Sequence, residues 1–102
     1  MTEEQAQRAA AIMSVVANPM RIRMVQAMAD GELTVGELAG RTGLSQASTS
    51  HHLLKLKRAG VLVQRKDKQS RHCAVEPSIS QTLHGLILIA EQQDANPGGR
   101  AW

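Results

Sequence analysis

From Thr34 to Gly60 the chain reads TVGELAGRTGLSQASTSHHLLKLKRAG, and the fold turns on how its two halves are separated. Thr34 followed three residues later by Glu37 is a capping box, in which hydroxyl and carboxylate each satisfy a free backbone N–H at a helix start. The short helix it opens, Val35 to about Arg41, buries Val35, Leu38 and Ala39. Gly43 stops that helix and Leu44 plugs the turn. Ser45 caps a second helix running to about Ala59, with Gly60 as its stop. Two helices held apart by a short glycine turn make a helix-turn-helix.

In the second helix Thr49, Leu53 and Leu56 recur at core spacing, with His52 at the edge. Gln46, Ala47, Ser48, Ser50 and His51 project outward. Glutamine matches the donor and acceptor edge of adenine, serine bonds base edges or phosphates, and alanine meets a thymine methyl. The N–H groups of the helix start suit a phosphate, and Lys55 and Arg58 reach backbone phosphates further along. Leu54 also faces outward, and none of these contacts explains it.

Downstream, VLVQRK (61–66) and RHCAVE (71–76) flank DKQS as two strand-like runs, a hairpin pattern. Arg65, Lys66, Lys68 and Arg71 sit on or beside its turn. Seven of the twelve cations fall between His51 and Arg71, where Asp67 is the only acid. A charge run alone is more often a solvated surface. Beside a helix-turn-helix it fits polyanion binding better. The expected architecture is mainly α with a small β-hairpin, a winged helix-turn-helix. Its recognition helix, about 45–59, would enter the major groove, and its basic wing, about 61–76, would lie on the backbone or minor groove.

Upstream, Thr2 to Val16 reads as an amphipathic helix through Ala6, Ala9, Met13 and Val16. ANPM follows as a break and restart, with Asn18 as cap and Pro19 at the first helical position. The next helix, Pro19 to about Ala29, is apolar at Met20, Ile22, Met24, Val25 and Met28, so Arg21 and Arg23 should point outward. Pro77 breaks the second hairpin strand, and Ser78 or Ser80 caps a last helix to about Gln93. That helix is apolar almost all round, more than one subunit's core can use. The reading is a homodimer through the N- and C-terminal helices, with Met13, Val16, Leu83, Leu86, Ile87 and Ala90 at the interface. Residues 1–95 form the single domain and 96–102 a frayed tail.

The totals agree with this. At 102 residues there is room for one small domain. Its one aromatic residue is Trp102, so the core is aliphatic and oligomerisation is expected. A single cysteine, Cys73, fits a reducing cytoplasm. MTEEQAQR carries no apolar signal core, and the run Leu86 to Ala90 is far too short to span a bilayer. With no glycine-rich phosphate loop and no nucleophile–base or paired-carboxylate spacing, neither an enzyme nor a cofactor is expected.

The elements ANPMRIRMVQAM, GELTVGELAGRTGLSQASTSHHLLKLKRAGVLVQRK and the strand after them resemble the ArsR/SmtB-type winged-helix repressors over about Ser14 to Glu76. The resemblance implies a homodimer on a palindromic operator, released by an effector. It places the family's DNA contacts on Gln46, Ala47, Ser48, Ser50 and His51, with the wing at Arg65 to Arg71. The family's usual metal sites are not preserved. Thr34 and Gly36 stand where the thiolate site needs cysteines. In the last helix His84 is followed by Ile87 and Leu88, with Glu91 roughly 10 Å further along. His84, Glu91, His72 and Glu76 remain as secondary metal candidates, His72 and Glu76 because they could share a strand face. Cys73 remains as a one-thiol redox candidate, although a lone cysteine in a strand is more often a small buried apolar residue. The competing readings are a winged-helix module that binds a protein partner, or a regulator that senses a metal through an accessory protein or oxidation through its one thiol.

Overall fold

The computed structural model describes residues 1–93; the expected tail, 96–102, lies outside them. In chain order the elements are α1 (Glu3–Val16), α2 (Pro19–Ala27), β1 (Leu33–Thr34), α3 (Val35–Thr42), α4 (Gln46–Arg58), β2 (Leu62–Asp67), β3 (Ser70–Val75) and α5 (Pro77–Gln92). Each helix start has a local cause. Thr2 and Gln5 form a capping box on α1, as Thr34 and Glu37 do on α3. The Asn18 side chain accepts from the N–H groups of Met20 and Arg21 at 2.9 and 3.0 Å, with Pro19 in the first turn of α2. Ser45 Oγ accepts from the Ser48 N–H at 3.1 Å.

The stops are equally local. Gly43, at φ 76°, ends α3 and donates to the Ala39 carbonyl at 2.9 Å. At the end of α4, Gly60 N–H bonds Lys57 O at 3.0 Å and Val61 N–H bonds Leu56 O at 2.9 Å. This paired pattern needs a left-handed residue at Gly60, whose φ is 77°. It also brings Val61 against Leu56, both fully buried.

The core collects Met24, Val25 and Met28 from α2, Leu38 from α3, Leu53 and Leu56 from α4, Leu62, Cys73 and Val75 from the hairpin, and Leu83 from α5. The helix-turn-helix is thus seated on α2, the hairpin and α5, which fixes the face that α4 turns outward.

Five expectations need correction. The wing is a three-stranded antiparallel sheet in the order β1-β3-β2, because Leu33 and Thr34 pair with Cys73 and His72. Two residues show no alternation, so no pattern announces such a strand. The hairpin strands run on through Asp67 and Ser70, leaving only Lys68 and Gln69 as the turn, with Lys68 at φ 58°. The last helix is capped by Glu76 rather than Ser78 or Ser80: its carboxylate accepts from the Ser78 N–H at 2.7 Å and from the Ser78 hydroxyl, and Pro77 starts the helix. Arg21, expected to point outward, is half-buried and bonded across three helices, and α2 ends at Ala27.

Candidate nucleic-acid interface

On α4, Thr49, Leu53 and Leu56 face the core, and the Thr49 hydroxyl donates to the Ser45 carbonyl at 2.9 Å. Gln46, Ala47, Ser50, His51, Lys55 and Arg58 are exposed, while Ser48 is half-buried. Leu54 is 42% exposed on the same side, and nothing among the described residues explains an apolar group there.

The wing's register sorts its cations by face. Lys66 stands opposite Arg71, and Arg65 opposite His72, so Lys66 and Arg71 share one face and Arg65 takes the other. Like charges directly opposite each other destabilise a hairpin, and a polyanion between them removes that cost. Arg71 also lines a cleft with Gln69 and Ser70 of the wing, Gln46 and Ser50 of α4, and Thr34 and Gly36 at the start of α3. The helix face and the wing therefore meet at one polar groove.

Arg65 is less free than the sequence suggested. Its guanidinium forks onto Glu32, with Nε and Nη2 donating to the carboxylate at 2.8 to 3.0 Å. Those hydrogen bonds hold the Glu32 carboxyl below its ordinary range and push the Arg65 pKa up.

His52, at the edge of α4, is held below the usual imidazole range by partial burial first, then by the basic side chains of Arg21, His51 and Lys55 around it. Folding therefore favours the neutral ring. The stability this gives is full above about pH 6.5 and drains away as pH falls from there through the lowered folded value.

The secondary candidates are engaged within the chain. His84 bonds the Val25 carbonyl through Nε2 at 3.1 Å and Ser80 Oγ through Nδ1 at 3.2 Å. Glu91 accepts from Gln26 Nε2 at 2.9 Å. His72 pairs with Arg65 and Thr34 on the sheet, whereas Glu76 caps α5, so the face those two were expected to share does not form. Among the described residues no three histidine, cysteine or acidic groups gather as a metal cluster. Cys73 is fully buried between Leu33 and Gln64, whose Nε2 lies 3.4 Å from its sulfur, and burial pushes the thiol pKa up.

Of the expected interface residues, Leu83 belongs to the subunit's own core at 9% exposure, because its side of α5 packs on α2. Met13 and Leu86 are 68% and 59% exposed. Val16, Ile87 and Ala90 line an apolar groove with Leu83, Leu86 and Ile22, the last being one of the apolar residues read on α2. No described helix is long and apolar enough to cross a membrane.

A helix-turn-helix with an outward polar helix and a basic three-stranded wing beside it defines a winged-helix protein. Residues 18–63 match the family model described as bacterial regulatory protein, arsR family. The transcriptional activator HlyU of Vibrio cholerae is 37% identical over 94 residues, 88% of this chain and 87% of that protein. Its solved structure superposes with a TM-score of 0.79 at 29% identity, covering 86% of this chain and 97% of that one. The nodulation protein NolR of Rhizobium meliloti is 39% identical over 67 residues, 66% of this chain, which spans 55% of NolR's length. A Mycobacterium bovis domain described as a homodimeric winged helix-turn-helix DNA-binding domain shares the fold, with a TM-score of 0.81 at 18% identity over 100% of this chain and 97% of that one. The chain belongs to the arsR family of bacterial regulatory proteins, and its function is transcriptional regulation.

Proposed function

We propose that this regulator is a cytoplasmic homodimer that binds a palindromic DNA site and represses by occupying it. The observation that carries the reading is the groove where Gln46 and Ser50 of α4 meet Arg71 of the wing. Base-reading groups and a phosphate-seeking cation converge there without an acid among them. Gln46, Ala47, Ser48, Ser50 and His51 read the major groove. Lys55, Arg58, Lys66, Lys68 and Arg71 hold phosphates, and Arg65 joins them when it leaves Glu32. Two copies related by a two-fold axis present two such helices, and a palindrome is the DNA counterpart of that symmetry. Met13, Leu86, Ile87 and Ala90, with Val16 and Ile22, are the surface offered to the second copy.

Fluorescence anisotropy on the duplex upstream of the chain's own gene tests the reading. Replacing Lys66 and Arg71 by Ala should weaken binding to every sequence and lower the salt slope by about 0.9 per lost phosphate contact. Replacing Gln46 by Ala should instead relax sequence preference, with a cost of about 1–3 kcal/mol confined to the preferred site. Binding that ignores both changes would move the function to the protein-partner reading. A promoter–reporter assay decides the direction of regulation.

A further inference from the structure

The guanidinium of Arg21 reaches two other helices. Its Nε donates to the Val15 carbonyl near the end of α1 at 2.6 Å, and its Nη1 lies 3.2 Å from His52 Nδ1 on α4. We propose that Arg21 is a positioning residue for DNA reading: it ties the C-terminus of α1 to the flank of the reading helix, and the tie holds only while His52 is neutral. The proposal rests on the DNA-binding role of α4 argued above.

Three features of the site support it. First, α1 ends with no basic residue in its last turn. The last turn of a helix carries its negative end, and a cation there complements it. Arg21, from the following helix, supplies that cation. Second, arginine has donors only, so His52 Nδ1 must present its lone pair and the ring proton must sit on Nε2. Third, among the described residues the groups acting on the ring are basic: Arg21 from α2, and Lys55 with the second imidazole, His51, on its own helix, while α1 brings the Val15 carbonyl that Arg21 bonds. A proton on Nδ1 removes the acceptor and sets a positive ring beside Arg21 and Lys55.

The consequence lies in the angle of α4. His52 follows Ser50 and His51 on the outward face and precedes Leu53 in the core. A pull on this edge residue sets how far the helix rotates about its axis, and so where Gln46, Ser50 and His51 point. Because α1 is also offered to the dimer, the tie links the scaffold between the two copies to the helix each copy lays on DNA.

The test has two arms. Nitrogen-15 NMR on the unmodified protein reads tautomer and titration directly. The expected result is His52 as the Nε2–H form, titrating below about 6.5, with Arg21→Lys raising that value because the fork is lost. An Nδ1–H tautomer, or a titration indifferent to Arg21→Lys, overturns the tie. Anisotropy on the upstream duplex at about pH 7.5 and 5.5 then compares the unmodified protein with His52→Asn, which keeps an acceptor but cannot titrate. His51 is present in both, so its contribution cancels. The unmodified protein should lose about fivefold or more in affinity relative to the variant on acidification. Equal pH profiles refute the coupling. A chain that binds no duplex at either pH refutes the DNA-binding reading itself, and this proposal falls with it, whatever the NMR shows of the bond.

Discussion

At Arg65 two demands meet on one guanidinium. Its fork onto Glu32 is well formed, yet the two side chains are 55% and 40% exposed. An exposed pair of this kind contributes little to stability and yields readily to a phosphate. On the proposed DNA-binding reading, Glu32 is a counter-ion that Arg65 gives up to a phosphate. Glu32→Gln should leave folding nearly unchanged, tighten binding to all duplexes and steepen the salt slope by up to about 0.9, one further phosphate contact; an unchanged slope would mean that Arg65 never reaches DNA. Sequence reading found Arg65 as one of a basic cluster but had no means of seeing Glu32, which pairs with it only because β1 joins the sheet. Cys73 went the other way. Its bland reading as a small buried residue is the one the packing favours, since a desolvated thiol resists forming the reactive thiolate. A maleimide should label it slowly in the folded protein and rapidly in denaturant, and rapid native labelling would restore the redox role.

Among the elements, α4 was the most legible, because both its ends are written in single residues. Ser45 and Gly60 act locally, and their bonds need nothing from the rest of the fold. Gly60 also offers a clean measurement. A Cβ there would meet nothing within 4 Å, so the cost of Gly60→Ala is conformational alone. We expect about 1 kcal/mol of lost stability in urea unfolding, from forcing alanine to positive φ. The cap on α5 was misread for a related reason. Serine is a better cap than glutamate by frequency, but Pro77 fixes where the helix begins, which leaves Glu76 as the residue before it. The third strand was beyond reading, since its two residues acquire their strand character from β3 rather than from their own pattern. Arg21 was misplaced by periodicity, which tells the two sides of a helix apart but not what another helix brings to the polar side.

For the whole molecule, the question is what covers the apolar side that α5 leaves open. Leu86, Leu88 and Ile89 are each more than half exposed, as is Met13 on α1, and Ile22 adds to the patch. A small chain that leaves this much aliphatic surface in water invites association. At 100° per residue, however, Leu86 and Leu88 lie on different sides of α5. The groove with Val16, Ile22, Ile87 and Ala90 lies on the Leu86 side, which is the side proposed above to receive a second copy. Leu86→Glu should therefore give a monomer by analytical ultracentrifugation. Its circular dichroism should be unchanged, because Leu86 contributes little to the subunit's own core. Binding to a two-half-site duplex should fall by about 10²-fold or more, since each helix then binds without the effective concentration its twin supplies. Binding to a single half-site should fall far less. If Leu86→Glu stays dimeric while Leu88→Glu dissociates, the interface lies on the opposite side of α5, and α1 loses its place in it.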